Sequence, residues 1–320
     1  PPPGAHPPLR PTHPATVPPP PGAARHAAAA RYAGPVMCTA ATAPYIPILR
    51  WTGNPGAINV DGLERKRRKW GAAGRAYYRL GERLSAWLPN RLITDARVIH
   101  RYYRRFYRRP SEMIAYGGDL EPPTTSATLE RLDLQPDGYV LYVSRFEPEN
   151  NPDVVVREYL ASSASEPLLV VGGANYESAY LQTLEAIDDP RVRFTGPVYE
   201  PEHIKALFLG AKAYIHGHEV GGTNPSLVTA MGCGRLVLAH AVPFNREVLG
   251  GEGLLWTKAP GSLRAVIEAV ELDGDALRSR AAVACRERIR AYYAWDKCAR
   301  DHDRFLRWLA GEVEDYDDSF

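Results

Sequence analysis

The stretch "HGHEVGGTNPSLVTAMGCGRLVLAH", residues 216–240, joins two apolar strand-like segments through a glycine pair and a helix. The pair Gly221 and Gly222 stands where the first segment stops. The helix opens at about Asn224, which can cap it, and Pro225 suits its first turn. A buried strand, a turn and a capped helix form the repeating unit of a parallel sheet covered by helices. This unit predicts an α/β fold.

The same unit recurs along the second half of the chain. Helices are predicted near 151–162, 176–187 and 201–211, and two more at 260–271 and 274–293. Six apolar segments of the buried kind alternate with the first helices. They are "YVLYVS" (139–144), "PLLVVGG" (167–173), "VRFTGPV" (192–198), "AYIHGH" (213–218), "LVLAHAV" (236–242) and "LLWT" (254–257). The pattern predicts a complete, doubly wound, Rossmann-like parallel sheet.

The first part of the chain gives weaker signals. Residues 1–34 are rich in Pro and Ala and have almost no large apolar side chains, which predicts disorder. Strand candidates at 56–62, 91–94 and 111–118 alternate with helices, so a partial Rossmann-like sheet of three strands is expected. We therefore divide the chain into a disordered tract (1–36), a partial domain (37–125), a ligand-binding domain (126–295) and a C-terminal helix with an acidic tail (296–320).

Composition argues against several kinds of partner and site. The net charge of +2 does not suggest a nucleic-acid partner. Four cysteines without CxxC spacing predict reduced thiols and a cytoplasmic protein. No apolar run approaches the roughly 20 residues that span a bilayer. The histidines lack ligand spacing with any cysteine, so no metal site is expected. The basic runs 65–69 and 101–109 are either solvated helix faces or contacts with anionic lipid, at the inner face of a membrane.

Ligands of open parallel sheets bind outside the carboxyl ends of the strands. There, Gly221 and Gly222 let the backbone approach a ligand, and the following helix end favours an anion. Arg145 follows the first strand, where it can fork onto a phosphate or pair with a nearby glutamate. Gly172 and Gly173 end the second strand. An ordinary capped turn remains the alternative, but the three strand ends together indicate one anionic, nucleotide-sized ligand.

Several motifs are similar to those of a known family. "VSRFEPENNPD", "VVGG", "FTGPVY", "HGHEVGGTNPSLVTAMGCG" and "VPFNREVLGGEGLLW" resemble the donor-binding half of GT-B glycosyltransferases of family 4. The likeness is greatest to the rhamnosyltransferase-like group of bacterial capsule and cell-wall polysaccharide synthesis. "INVDGLERKRRKWG" and "MIAYGGD" resemble the back half of that group's acceptor domain. The resemblance covers residues 45–306.

The resemblance implies a nucleotide-diphosphate sugar as donor, no cofactor, and a lipid-linked or oligosaccharide acceptor. It places Arg145 on the diphosphate and Asp61 beside the acceptor hydroxyl, as the catalytic residues. Together with the position of residues at strand ends, it gives the remaining donor-binding positions as Asn150, Gly172, Gly173, Val198, Tyr199, His218, Glu219, Gly221, Gly222, Thr223, Asn224, Ser226 and Thr229. Val198 and Tyr199 are expected beside the nucleobase, and His218 and Glu219 either touch the sugar or end the strand.

Three departures from the family's pattern refine the expectation. Thr229 stands where most members have a glutamate that holds the ribose hydroxyls, which favours a deoxythymidine donor such as dTDP-rhamnose. Asn150 replaces a usual lysine, so Arg145 carries most of the diphosphate contact. The glycine-rich first strand expected before Tyr45 is missing, so the acceptor domain is expected to be incomplete. The alternative to an active transferase is a truncated, non-catalytic nucleotide-sugar-binding or interaction module.

Overall fold

The computed structural model describes residues 21–30, 34–51, 53, 55–120, 127–174 and 179–313. These residues form two parallel sheets, each packed against helices, with a cavity between them. Residues 1–20 and 31–33 of the predicted disordered tract, and the acidic tail after residue 313, lie outside the described residues.

The first sheet has four parallel strands in sequential order: β1 (Val36–Cys38), β2 (Ala57–Val60), β3 (Arg91–Thr94) and β4 (Glu112–Met113). Its helices are α1 (Pro21–Ala29), α2 (Ile46–Trp51), α3 (Ala72–Trp87) and α4 (Arg97–Tyr107), with 3-10 helices at Ala40–Tyr45 and Glu64–Lys66. Asp61 follows β2 and Asp95 follows β3, and both line the cavity, so the carboxyl ends of these strands face it.

Two predictions for this half of the chain are wrong. Three strands were expected, but β1 adds a fourth, whose apolar run Val36–Cys38 is only three residues long and is not buried. Disorder was expected through residue 36, but Pro21–Ala29 is helical. The small side chain of Ala28 is buried against Ile46 and Leu49 of α2, so the apolar partner of this helix lies elsewhere in the sequence.

The second sheet has six parallel strands, and all six predicted strands are confirmed. They are β5 (Val140–Arg145), β6 (Leu168–Gly173), β7 (Val192–Gly196), β8 (Ala213–His216), β9 (Leu236–His240) and β10 (Leu254–Trp256). The strand order is β10-β9-β8-β5-β6-β7. This is the doubly wound order, in which the winding reverses between β5 and β8.

Helices cover both faces of the second sheet. Before and between its strands lie α5 (Ala127–Arg131), α6 (Pro152–Leu160), α7 (Ala179–Glu185), α8 (Pro201–Gly210), α9 (Pro225–Gly232) and α10 (Pro243–Leu249), with a 3-10 helix at Pro148–Asn150. The strands contribute fully buried residues such as Leu141, Leu169, Ile215 and Val237 to one large core. Burial on both faces explains why these strands read as continuous apolar runs.

Two helices end the described chain, α11 (Ser262–Tyr292) and α12 (Trp295–Leu309). The backbone of α11 leaves helical geometry at Asp273, with φ −122° and ψ 22°. This break agrees with the two separate helices predicted at 260–271 and 274–293. Phe305 and Leu309 of α12 pack with Ile93 of the first sheet, so the last helix returns to the first domain and ties the two together.

Candidate functional site

A cavity of about 530 Å³ lies between the two sheets, at the carboxyl ends of β5, β6 and β8. The structure brings most of the predicted site residues together around it: Asp61, Arg145, Gly172, Gly173, Val198, Tyr199, His218, Gly221, Gly222, Thr223, Asn224 and Ser226. Its other lining residues are Arg67, Asp95, Tyr116, Val143, Ser144, Val171, Pro197, Val220 and Pro225. The cavity therefore occupies the switch point of the doubly wound sheet, where such folds bind ligands.

Arg145 is the last residue of β5, and its side chain is exposed into this cavity. Within the described part of the chain, the guanidinium of Arg145 makes no hydrogen bond or ion pair. The alternative of a salt bridge to a nearby glutamate fails, because Glu147 pairs with Lys69 at 3.8 Å and Glu149 with Arg67 at 3.4 Å. The guanidinium is therefore available to an anion.

Asn150 does not line the cavity, although the sequence places it at the donor site. Its side chain is fully buried, and Nδ2 donates to the carbonyl oxygen of Arg145 at 2.8 Å. Its own carbonyl oxygen accepts from the Tyr142 hydroxyl at 2.6 Å. Asn150 thus fixes the backbone from which Arg145 projects.

The glycine pair of the opening stretch lies where the two domains touch. A Cβ on Gly62 would lie 2.9 Å from Cα of Gly221, and a Cβ on Gly222 would lie 2.0 Å from Oδ1 of Asp95. The Thr223 hydroxyl donates to the backbone oxygen of Asp95. Only glycine permits these approaches, so the pair shapes the contact between the domains as well as the cavity wall.

The helix that follows the glycine pair is capped as predicted. The Asn224 side chain accepts from the Ser226 backbone N–H at 3.0 Å, and Pro225 occupies the first turn. Ser226 lines the cavity, whereas Thr229 is half-buried one turn further along α9 and does not. Positions three apart share a helix face. A longer side chain at Thr229 would therefore extend towards the cavity.

Gly172 and Gly173 end β6 beside β5. Gly172 has a φ of +149°, and a Cβ there would lie 1.7 Å from the backbone oxygen of Ser144. Gly173 has no such conflict. Val198 and Tyr199 lie at the opposite wall, and Tyr199 is 77% exposed, so its ring can stack on a flat ligand group.

His218 and Glu219, adjacent in sequence, have different surroundings. His218 lines the cavity, stacks on His216 with ring centroids 4.6 Å apart, and has no partner for Nδ1 within the described residues. Burial, together with the positive charges of Arg145 and Arg67, lowers the pKa of His218 to about 3. The ring is therefore neutral and can accept or donate one hydrogen bond.

Glu219 does not line the cavity. Its carboxylate pairs with Arg68 at 3.3 Å and with Lys258. It belongs to a smaller neighbouring cavity of about 230 Å³, walled by apolar side chains that include Val98, Ile99 and Phe244. A contact between Glu219 and a ligand in the main cavity is not supported by this geometry.

Two buried carboxyl groups, those of Asp61 and Asp95, line the main cavity. Burial, with the negative charge of Glu64, raises the pKa of Asp61. Burial, with the charge of Asp61, raises the pKa of Asp95 well above its ordinary value. Sequence reasoning found Asp61 but missed Asp95 and Arg67. The position of Asp95, directly after the strand "RLIT", is the signal that could have found it.

The basic run 65–69 is not a solvated helix face, and most of its charged side chains form ion pairs. It forms a 3-10 turn and a loop, and α3 begins only at Ala72. Four of its side chains are paired with acidic groups, three of them from the second domain. The pairs are Arg65–Glu82, Arg67–Glu149, Arg68–Glu219 and Lys69–Glu147, at 2.8, 3.4, 3.3 and 3.8 Å.

No helix in the described ranges has the length and apolar character needed to cross a bilayer. Among the same residues, no group of three or more His, Cys, Asp and Glu side chains is arranged to hold a metal ion.

Comparison with known proteins gives two family matches and one curated relative. Residues 137–272 match the family described as glycosyl transferases group 1, and residues 44–119 match a domain of unknown function, DUF1972. Over 140 residues the chain is 25% identical to O-antigen chain mannosyltransferase B of Escherichia coli, a match covering 42% of this chain and 36% of that protein. The match therefore spans little more than a third of the relative's length.

Solved structures resemble this chain over most of its length. HepE of Anabaena, in complex with UDP, superposes with a TM-score of 0.73 at 15% identity, covering 90% of this chain and 81% of that one. Sucrose-phosphate synthase of Thermosynechococcus elongatus gives a TM-score of 0.76 at 19% identity, covering 90% and 76%. These likenesses establish a GT-B type fold, as the sequence predicts.

Proposed function

We propose that this chain is a glycosyltransferase that binds a nucleoside-diphosphate sugar in the 530 Å³ cavity and transfers its hexosyl group. The observation that supports this most strongly is that the switch-point cavity presents Arg145, whose side chain has no ion-pair partner among the described residues, together with a glycine pair and a capped helix end. The match of residues 137–272 to glycosyl transferases group 1 supports the same activity.

The geometry suggests how the donor lies. Arg145 projects from β5 and α9 begins across the switch point, so a diphosphate between them would meet a guanidinium and the positive end of a helix. Val198 and the exposed ring of Tyr199 form the wall that suits the nucleobase. His218, neutral and with a free Nδ1, suits a sugar hydroxyl on the remaining side.

The transfer breaks the bond between the anomeric carbon and the diphosphate oxygen and forms a bond to the acceptor oxygen. The contribution of the chain is to stabilise the charge that develops on the leaving diphosphate, mainly through Arg145. If the anomeric configuration is retained, as in many family-4 enzymes, a donor phosphate oxygen takes the acceptor proton. Asp61, at the first domain's wall of the cavity, lies where the acceptor hydroxyl would approach.

More specifically, we propose that the chain belongs to family 4 and uses dTDP-rhamnose as its donor. Thr229 carries no charge and so offers no carboxylate to the ribose hydroxyls, and a deoxyribose has one hydroxyl fewer to bind. The O-antigen mannosyltransferase of Escherichia coli makes mannose the competing sugar, and the UDP complex of HepE makes uridine the competing nucleoside. Thr229→Glu tests the preference between ribose and deoxyribose.

The acceptor is proposed to be a saccharide or a lipid-linked saccharide in cell-surface polysaccharide synthesis. The lipid contact expected from the two basic runs now falls on α4, because the run 65–69 is paired internally. On α4, Phe106 is 64% exposed among the exposed arginines Arg101, Arg104 and Arg105. An exposed aromatic ring among cations is typical of a peripheral contact with anionic lipid.

The proposal is tested by offering the purified chain UDP-glucose, GDP-mannose and dTDP-rhamnose with a membrane lipid extract as acceptor source. We expect release of nucleoside diphosphate and labelled lipid product from one donor, and loss of both with Arg145→Ala. Arg280→Ala is the matched control, since that arginine is exposed on α11, outside the cavity and outside both basic runs. Binding of a donor without turnover would instead favour the non-catalytic module. Absence of both binding and turnover would refute the proposal.

A further inference from the structure

Asp95 is a buried carboxyl group in an unusual position. It follows β3 at the strand's carboxyl end, is 1% exposed, and lines the main cavity. Neither of its carboxylate oxygens has a hydrogen-bond partner among the described residues. A buried polar group without a partner is costly, and an ionised one more so. Such a side chain persists when it is neutral, when a ligand completes its hydrogen bonds, or both.

The surroundings of Asp95 direct it towards the glycine pair. Its carboxylate oxygens lie against Gly222, where a Cβ would come within 2.0 Å of Oδ1 and 2.3 Å of Oδ2. Its backbone oxygen accepts from the Thr223 hydroxyl, which fixes the main chain at this point. The carboxyl group therefore faces the loop assigned above to the donor diphosphate, and Gly222 leaves it the room to do so.

The surroundings of Asp95 disfavour its ionised form. Burial contributes most to the rise in its pKa, and the negative charges of Asp61 and Glu247 add to it, against a smaller opposing effect of the backbone N–H groups of Asp95 and Thr223. Tyr116 is a third neighbour, and burial with the charges of Asp61 and Asp95 raises the pKa of this phenol to about 12. Arg67 and Arg145 line the same cavity, but Arg67 is paired with Glu149.

We propose that Asp95 is a ligand-contacting residue of the donor site that works as a neutral carboxylic acid and donates a hydrogen bond to an oxygen of the bound sugar nucleotide. This inference rests on the proposed function, because it requires a sugar nucleotide in the cavity. The proton stays on Asp95, and no bond of the ligand is broken. An ionised Asp95 would offer only lone pairs to an anionic ligand and would repel it.

A testable pH dependence follows. Where Asp95 ionises in the free protein, binding must take up one proton, and the affinity falls up to tenfold for each unit of pH above that point. The other groups facing the cavity do not imitate this effect near neutrality. His218 stays neutral, Tyr116 stays protonated, and Arg67 stays charged. Asp61 is the one remaining acid in the cavity whose pKa is raised, so it needs its own control.

The experiment is calorimetric titration of the full chain with whichever of UDP-glucose, GDP-mannose and dTDP-rhamnose binds most tightly. A sugar nucleotide is chosen because its diphosphate diester does not titrate near neutrality. Asp95→Asn retains an N–H donor and cannot ionise, whereas Asp95→Ala removes the contact. We expect Asp95→Asn to bind as tightly as the wild type at about pH 6 and Asp95→Ala to bind about tenfold or more weakly.

From about pH 6 to about pH 9 the wild-type affinity should fall where Asp95 ionises, while that of Asp95→Asn stays flat. Asp61→Asn should keep a decline, moved to lower pH because the charge of Asp61 no longer raises the pKa of Asp95. Equal affinity of Asp95→Ala and the wild type would overturn the contact. An equal loss in Asp95→Asn and Asp95→Ala, in variants with wild-type unfolding curves, would overturn the neutral-acid role.

A variant that fails to fold does not end the test, because the wild type alone reports the proton. Titration in two buffers of different ionisation enthalpy measures proton uptake directly. A wild-type affinity that falls with pH without uptake of a proton would overturn the proposal. Absence of binding by any of the three nucleotides would refute the proposed function itself, which distinguishes the two failures.

Discussion

Replacing Gly172 by alanine should damage the second domain, whereas the same change at its neighbour Gly173 should not. Gly172 stands opposite Ser144 in the register of β5 and β6, with φ at +149°. A Cβ there would lie 1.7 Å from the Ser144 backbone oxygen, far inside the 3.4 to 4 Å of an ordinary contact. Because that oxygen belongs to the backbone of β5, the strands themselves must separate.

Two effects contribute to the loss of unfolding free energy in Gly172→Ala. An alanine held at this φ stores about 1–3 kcal/mol of backbone strain. Forcing the Cβ between the strands adds overpacking of about 1–3 kcal/mol. We therefore expect Gly172→Ala to lose about 2–6 kcal/mol of unfolding free energy, a large share of the roughly 5–15 kcal/mol typical of a domain.

Gly173 supplies the matched control. Its φ is unremarkable for an L-residue, and a Cβ would meet Pro197 Cδ at 3.6 Å, an ordinary contact. Gly173→Ala should therefore stay within about 1 kcal/mol of the wild type in urea denaturation. Since its Cβ would project beside the cavity, it should weaken sugar-nucleotide binding without lowering stability. Equal denaturation midpoints for the two variants, or a greater loss at Gly173, would refute this description of the strand ends.

Three further predictions concern other elements of the site. The Glu247 carboxylate accepts hydrogen bonds from the backbone N–H groups of Arg97 (2.8 Å) and Val98 (3.2 Å) at the start of α4. Glu247→Ala should therefore lower the free energy of unfolding by about 1–2 kcal/mol in urea denaturation, and Glu247→Gln should lower it less. No loss would contradict this capping across the domains. Thr229→Glu should raise the affinity for UDP about tenfold relative to dTDP in calorimetry, through one added ribose contact, and an unchanged ratio would count against ribose lying over α9. Between pH 6.5 and about 3, His218 binds a proton in the unfolded chain but not in the folded one, so the free energy of unfolding falls with falling pH by up to about 1.4 kcal/mol per pH unit. His218→Gln should flatten that slope. An unchanged slope would show that His218 is protonated in the fold.

The second domain could be predicted closely from its sequence because its information is local. Each strand is a run of apolar residues buried on both faces, and each turn carries its own glycine or cap. The Asn224 cap, the break in α11 at Asp273 and all six strands follow from such local patterns. The convergence of Arg145 and the glycine pairs also follows, since the carboxyl ends of parallel strands share one edge.

The first domain was predicted less well because its structure depends on distant partners. Nothing local to the Ala-rich tract shows that Ala28 packs against Ile46 and Leu49. The run 65–69 has the composition of a solvated helix, yet three of its side chains pair with glutamates about 80 to 150 residues away, as in Arg67–Glu149 and Arg68–Glu219.

In the candidate site, too, local patterns were predicted better than contacts between distant residues. Residues at strand ends, such as Arg145 and Gly221, could be found from spacing, and they line the cavity. Asn150 and Glu219, chosen by motif, are instead engaged in contacts within the protein. Asp95 was missed because its burial against Gly222 is created only when the two domains meet.

Binding of a nucleoside diphosphate by Arg145 is the contact on which donor recognition depends. Calorimetric titration of the wild type and Arg145→Ala with dTDP and with UDP measures this, with Arg104→Ala as the control. We predict that the wild type binds, with dTDP preferred, and that Arg145→Ala binds at least about tenfold more weakly with an unchanged unfolding curve. Equal binding by the wild type and Arg145→Ala, or no binding of either nucleotide by the wild type, would contradict the account.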